Sequence, residues 1–409
     1  MMMRLHATLI FAWLICADHG VQASNKDEEK GGGGSVFTPI LGKLKNAFKI
    51  STTTASATTA SSPPPQAIAL DLATGNWKAQ ATRAFVQSGM AAAMETLCQD
   101  GKFAKAAQIA EVADLKPEPT YRLLRYLSTL GVAVEGDDRD FTLGPVGEVL
   151  TPNHPQSVAK AVLWEAHMTS ARVWDQLTSF LQTDEAAGPK ALGADSIWSF
   201  LAGNPDILAL FSQAMTGYSN EAAFVLKSPE LSPTFDLSAH ATICDLGCAE
   251  GRLALGLNQR FPNAKYILAD LPETLARLDA SQLPSNFQLQ ETNFLTQTAP
   301  KADAYVLKNI LHDWDDAECG VILRNIHQSN PKASVFVIEF GPMPGPNIPH
   351  VAKGFDLHMA VLFHAAERTQ EEYDALWRTN GYQRVATHLL VNGDYVQELK
   401  WTVNASAEF

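Results

Sequence analysis

The sequence predicts an α/β fold: a doubly wound, mostly parallel sheet in the C-terminal half, preceded by a mostly helical region with a winged-helix pattern. Three observations carry this expectation. From His240 onward, the short apolar runs ATICDLG, YILAD, AYVLKN and SVFVIEF alternate with helical stretches over about 170 residues, the texture of a parallel sheet covered on both faces. The first run ends in Asp245-Leu246-Gly247-Cys248-Ala249-Glu250-Gly251 and leads into a helix. Small residues there let the backbone approach a ligand at the carboxyl ends of the strands. Upstream, helices expected over 77–98 and 103–114, a third helix, and a hairpin made of VAVE, the turn GDDR and DFTLG supply two helices and a two-stranded wing.

In chain order, the first 23 residues read as a secretory signal peptide. Met1–His6 carries one Arg, Ala7–Ala17 is an apolar run of eleven, and Val21-Gln22-Ala23 gives a small-x-small cleavage pattern before Ser24. The run is too short for a stable membrane span. Residues 24–66 are low in complexity, an acidic SNKDEEK followed by GGGGS and STTTASATTASSPPP, and cannot bury enough apolar surface to offset their ordering entropy. Residues 31–70 hold Lys43, Lys45 and Lys49 and no acid, a pattern shared by organelle transit peptides and by solvated flexible arms. Two destinations stay open: a plastid reached through a bipartite presequence, or a secreted or luminal site. Near the C-terminus, Asn404-Ala405-Ser406 is a glycosylation sequon.

Folding is expected from about residue 67. Thr120 can cap the third helix, which carries Leu123, Leu127 and Leu130 on one face and stops at Gly131. Residues 67–155 thus form the winged-helix region, for which a dimerisation role is expected, since the helix that would enter DNA is balanced in charge. Residues 156–235 are helical, with Trp164, Trp174, Trp198, Phe200 and Phe211 spaced as core or pocket lining. Residues 236–409 form the sheet domain.

The 409 residues include 31 Lys and Arg against 44 Asp and Glu, a net charge of −13 with no basic stripe, which argues against nucleic acid as a partner. Cys98, Cys244, Cys248 and Cys319 follow neither a disulfide-dense nor a zinc-like spacing, so no metal is expected.

The chemistry gathers at the strand ends. Asp270 closes the second apolar run, 25 residues beyond Asp245, where a carboxylate can accept both hydroxyls of a ribose. The loop has glycines only at 247 and 251, which departs from the G-x-G-x-x-G of nicotinamide dinucleotide sites and leans to S-adenosylmethionine. His312 directly follows the AYVLKN run, at the edge where such sheets place their chemistry.

Taken together, CDLGCAEG, FPNAKYILADLPETL, PKADAYVLKNILHDWDD and ERTQEEY make the chain from about Trp77 to Thr402 resemble the S-adenosylmethionine-dependent O-methyltransferases of plants, animals and bacteria that act on phenols and hydroxyindoles. The resemblance implies a class I methyltransferase sheet and a homodimer joined through the N-terminal region. It implies His312 as general base, flanked by Glu339 and Glu367, and assigns Gly247, Asp270, Asn293, Phe294, Lys308 and Ser219 to the cofactor. Departures are Cys248 and Ala249 in place of two loop glycines and Asn293 in place of Asp. His358 and His364 replace residues that are more often Asn and Gly, at positions expected to line the acceptor pocket.

The physical chemistry is consistent with these roles. Methyl transfer is an in-line displacement governed by alignment. A hydroxyl with a pKa near 10 becomes a better nucleophile beside a neutral imidazole, and a carboxylate on the far ring nitrogen fixes the tautomer. The expected reaction is methylation of a hydroxyl on a small aromatic acceptor. Two alternatives stay open: S-methylation of a thioether acid such as methylthiohydroxybutyrate, where no proton leaves and the base is dispensable, and a non-catalytic winged-helix ligand sensor.

Overall fold

The computed structural model describes residues 63–391 and 394–402. The signal and transit segments expected over 1–62, and Asn404, lie outside them. Among the described residues, 63–76 belong to one unit and those from 77 onward to another. In the described part of the first, the helix Pro65–Ala73 begins two residues inside the stretch read as low in complexity. Its first residue is proline, whose fixed φ suits a first helical turn and whose missing N–H costs nothing there.

The region read as helices and wing differs from expectation in three places. The helix expected over 77–98 is two, Gly75–Gln87 and Met90–Leu97, because Gly89 adopts a left-handed backbone (φ +80°) between them. Ala104–Lys105 is a short strand (β1) and only Ala106–Val112 is helical, so the expected hairpin gains a third strand. The next helix runs Pro117–Ser128 from an N-cap at Lys116. Thr120 therefore does not cap it; Pro117 starts the helix three residues earlier and leaves Thr120 buried inside. Strands β2 (Ala133–Glu135) and β3 (Asp140–Leu143) pair antiparallel as expected, with β1 on the far side of β3.

Six helices follow, from Ala159–Glu165 to the 22-residue Pro205–Leu226. Trp164, Val173, Ile197, Leu201 and Ala214 form their shared core together with Val361 and Leu362 from the helix Val351–Phe363. This helical layer is therefore packed on a segment that comes late in the chain.

The main sheet has seven strands: β4 (Thr242–Leu246), β5 (Lys265–Asp270), β6 (Phe287–Glu291), β7 (Ala304–Lys308), β8 (Ser334–Glu339), β9 (Tyr382–Leu389) and β10 (Tyr395–Trp401). Their order is β6-β5-β4-β7-β8-β10-β9, parallel from β6 to β8 and antiparallel at β10 and β9. The alternation along each strand divides the core. Ile243, Tyr266, Leu268, Val306, Phe336 and Ile338 face one way, against the helices Pro205–Leu226 and Arg252–Arg260. Cys244, Leu246, Ile267, Tyr305, Leu307, Val335 and Val337 face the other, against the helices Asp316–Ser329 and Gln370–Thr379. Each such side chain, fully buried, contributes about 1.5–3 kcal/mol relative to exposure.

The chain steps outward from β4 to β6 and then returns to β7 on the other side of β4. Such a reversal of strand order marks the carboxyl ends of the central strands as the place where ligands bind in sheets of this kind. No described helix is long and apolar enough to cross a membrane.

Candidate active site

The carboxyl ends of β7 and β8 carry the acid–base cluster. After Lys308 the chain turns sharply through Asn309, whose φ of +52° is a conformation that Asn tolerates better than most residues. The Asn309 N–H donates to Ile338 O at 2.9 Å, which holds this turn against β8. A single 3-10 turn, Leu311–Asp313, then presents His312, which is 6% exposed. Its Nδ1 lies 2.6 Å from Glu367 Oε1 and 3.8 Å from Glu339 Oε2, while Nε2 lies 3.5 Å from Asp313 Oδ1.

Glu339 is the last residue of β8, and its Oε1 accepts the Leu311 N–H at 3.1 Å. One carboxylate thus holds the backbone of the turn while the other holds the ring. The structure brings all three sequence-assigned catalytic residues together.

Arg368 completes the cluster. It is 4% exposed and sits beside Glu367, donating from Nη1 to Leu311 O (3.1 Å) and Ala366 O (3.2 Å), from Nη2 to Trp314 O (2.9 Å) and from Nε to Asp316 Oδ1 (2.9 Å). The guanidinium therefore ties both ends of the His312 turn to the segment that supplies Glu367. In the sequence, only adjacency marks Arg368 and Asp313, each the neighbour of an assigned residue.

The electrostatics follow from this crowding. Burial pulls the His312 imidazole toward neutrality, but Glu339, Asp313 and Glu367 together outweigh it and push its pKa up to about 10. Burial raises Glu339 to about 7 and Asp313 to about 6, each opposed by His312. Carboxylates crowded around one imidazole share protons rather than all ionising freely.

The second cluster lies at the ends of β4 and β5. Gly247 (φ +81°) and Gly251 (φ +68°) take backbone conformations that favour glycine. At Gly247 a Cβ would also fall 2.4 Å from Ile310 Cδ1, so the loop needs glycine at that point. Ala249 has φ +47° without being glycine. Its N–H donates to Asp270 Oδ2 at 2.8 Å, and the Leu271 N–H donates to Asp270 Oδ1 at 2.7 Å. Both oxygens keep lone pairs for ribose hydroxyls. Burial raises Asp270, against the two N–H bonds, and raises the deeper Asp245 to about 7.

Phe294 packs edge-on against Trp314 at 5.9 Å, and its Cε1 would be 3.6 Å from a Cβ at Gly247, so Phe294 lies beside the loop. Asn293 Oδ1 accepts the Leu295 N–H, which shapes the turn there. Lys308 Nζ donates to Asn309 Oδ1 at 3.1 Å; burial lowers its pKa, and Asp394, Glu339, Glu221 and Asp245 oppose that shift. Ser219 is half-buried on Pro205–Leu226, and its side chain makes no hydrogen bond among the described residues.

This loop and carboxylate fit an adenosyl cofactor, and the surrounding acids fit a cationic one. Gly247 and Asp270 lie at this loop with Phe294 beside it, while the assignment of Asn293, Lys308 and Ser219 to the cofactor comes from the resemblance. Of the two histidines expected in the acceptor pocket, His358 is buried and bonded to Trp174, whereas His364 is exposed and ends its helix in a left-handed conformation (φ +58°). At His364 the chain reverses, where glycine is the usual solution.

Sheet order, cofactor loop and buried His–carboxylate cluster define a class I, S-adenosylmethionine-dependent methyltransferase. The family model of the O-methyltransferase domain matches residues 174–383, and the chain belongs to that family. It is 30% identical over 319 residues to the mitomycin biosynthesis 6-O-methyltransferase of Streptomyces lavendulae, covering 76% of this chain and 87% of the relative. It is 27% identical over 320 residues to the phenazine O-methyltransferase PhzM of Lysobacter antibioticus, covering 77% and 90%. Among solved structures, LaPhzM superposes with a TM-score of 0.73 at 25% identity, over 83% of this chain and 100% of that one. Human N-acetylserotonin methyltransferase, in complex with S-adenosylmethionine, shares the fold with a TM-score of 0.73 at 22% identity, over 84% and 99%.

Proposed function

We propose that the enzyme methylates a hydroxyl of a small aromatic acceptor, with His312 as general base and Glu367 and Glu339 as its positioning carboxylates. The observation that carries this reading is the 2.6 Å contact between His312 Nδ1 and Glu367. Nδ1–H donates to the carboxylate, which leaves Nε2 as the proton-accepting nitrogen. S-adenosylmethionine supplies an electrophilic methyl group on a sulfonium sulfur. With the methyl transferred and its sulfonium bond broken, leaving neutral S-adenosylhomocysteine, the hydroxyl proton would pass to His312 Nε2, and Glu367 and Glu339 would stabilise the resulting imidazolium. Leu311 and Arg368 hold the turn so that the ring does not swing away.

Trp198, stacked on Trp314 at 6.5 Å and tilted against Phe363 at 5.5 Å, provides an aromatic wall next to the His312 turn. Flat apolar rings suit such a surface. The test is an acceptor screen with methyl-labelled S-adenosylmethionine across phenols, hydroxyindoles and thioether acids. Label should enter ethers of the hydroxyarenes; label confined to the thioether acids would overturn the reading.

The cofactor site has its own test. Asp270→Ala should weaken S-adenosylmethionine binding by about 1.5–3 kcal/mol, the range for hydrogen bonds to a charged group. Unchanged affinity by calorimetry would remove Asp270 from the site.

For location, the reading is entry into the endoplasmic reticulum followed by plastid import, supported by the apolar run at 7–17 and the acid-free stretch 31–70. A fluorescent fusion of residues 1–70 should then accumulate in plastids, and fluorescence in the culture medium would replace import with secretion.

A further inference from the structure

Glu339 Oε2, Glu367 Oε2 and the Tyr373 hydroxyl are buried oxygens with no hydrogen-bond partner among the described residues. Their residues are 1%, 2% and 0% exposed. The fold brings them to one place. Val335 and Val337 face the helices Asp316–Ser329 and Gln370–Thr379, and Glu339, two residues further along β8, continues that face. Tyr373 comes from the first turn of Gln370–Thr379, packs in the same cluster as Val337, Leu311 and Cys319, and stacks on Trp377 at 5.4 Å. Glu367 lies just before that helix. Glu367 Oε1 and Glu339 Oε2 both approach His312 Nδ1, at 2.6 and 3.8 Å.

Buried polar groups seldom stay unpaired. A proton shared between the two carboxylates would satisfy them and leave Tyr373 without a partner. A cation fits poorly, because the His312 imidazolium already faces both carboxylates and the Arg368 guanidinium lies beside them. A single water matches the count. Burial, then Glu339 and Glu367, hold the Tyr373 phenol well above its ordinary value, so it keeps its proton and can donate. Water can accept that bond and has two O–H groups left, one for each carboxylate oxygen.

We infer that Tyr373, Glu339 and Glu367 enclose a buried water-binding site, in which one water accepts from the Tyr373 hydroxyl and donates to Glu339 Oε2 and Glu367 Oε2. The two carboxylates that hold His312 are thereby tied to each other and to the helix behind them. Tyr373 is a positioning residue that acts through the water. The site stands without the acceptor reading given above; its bearing on catalysis rests on that reading.

The water also affects ionisation. Glu339 is faced by His312, Glu367, Asp313 and Lys308, and Tyr373 by Glu339, Glu367, Arg368 and Cys319. Burial raises Glu339 to about 7, with His312 opposing. A hydrogen bond to the ionised form lowers a carboxyl pKa, so weakening the bond from the water must raise Glu339 further.

Two measurements test the site. A high-resolution crystal structure of the wild-type enzyme should show one solvent oxygen about 2.5–3.0 Å from all three atoms, and crystals grown in rubidium salt should give no anomalous signal there. Infrared difference titration would follow the buried carboxyl band that Glu339→Gln removes. In Tyr373→Phe its midpoint should rise by about one pH unit, a shift that lost packing alone would not produce. The inference is overturned by an absent solvent oxygen, by a Tyr373 hydroxyl bonded directly to either carboxylate, or by a rubidium peak. A midpoint that stays or falls in Tyr373→Phe overturns it equally, and if that variant does not fold, the wild-type crystal decides. Neither measurement involves an acceptor, so proof of thioether methylation would end the hydroxyl reading and leave the water site standing.

Discussion

Replacing His312 with alanine is expected to slow methyl transfer to a hydroxyl by about 10²–10⁴-fold, the usual worth of a positioned general base. The size follows from the site's isolation. The ring is 6% exposed, and Glu339 and Glu367 are buried beside it, so bulk water has little access to take over the proton. The loss should fall on kcat more than on KM, because the base acts on a proton that leaves only in the transition state. Single-turnover rates separate this from slow product release. The same substitution also tests the element that is methylated. A thioether acceptor has no proton to lose, so His312→Ala would then cost only packing and orientation, about ten-fold or less. A mutant that keeps most of its single-turnover rate would end the hydroxyl reading and leave the cofactor site intact.

What the sequence disclosed, and what it withheld, follows from where each signal resides. β4, β5, β7 and β8 were legible because central parallel strands are buried on both faces and read as unbroken apolar runs. β6, β9 and β10 were not, for two reasons: β6 and β9 lie at the sheet edges with mixed burial, and β10 interleaves Gln397 and Glu398 with Val396 and Leu399. The break at Gly89 was hidden because alanine-rich sequence on both sides favours helix, so only the glycine marked it.

The site shows the same division. His312 follows one apolar run and Glu339 ends another, and the resemblance carried by HDW, SVFVIE and ERTQEEY supplied the roles of these two and of Glu367. Arg368 gave no such cue, because its role depends on carbonyls of Leu311 and Trp314 more than fifty residues earlier. Trp174 is further still from its partner: 184 residues separate it from His358. A pairing of that kind needs the packed fold, since neither helix carries a mark that points to the other.

Glu367→Gln tests the electrostatic half of the mechanism, with a predicted loss in kcat on the order of 10³-fold. Glutamine keeps the length and volume of the side chain, so the fold around Leu311 and Arg368 should persist. Its neutral amide either accepts the Nδ1–H weakly or turns its NH₂ toward Nδ1 and drives the ring proton onto Nε2, the nitrogen that must accept. The pH profile supplies a signature that mere misplacement would not. With His312 raised to about 10 in the free enzyme, the wild-type ring still carries two protons at neutral pH. Its kcat/KM should therefore climb through the alkaline range, well above the value near 6.5 of an ordinary imidazole, as the accepting form becomes populated. Removing the negative charge 2.6 Å from Nδ1 destabilises the imidazolium, so in Glu367→Gln the limb must move to lower pH. Glu339 and Asp313 remain, so the shift is partial. Glu367→Asp keeps the charge and should recover the alkaline limb even if the shorter arm costs rate. A Gln variant whose limb stays in place, or one that loses only a few-fold in kcat, would show that Glu367 packs beside His312 without setting its protonation.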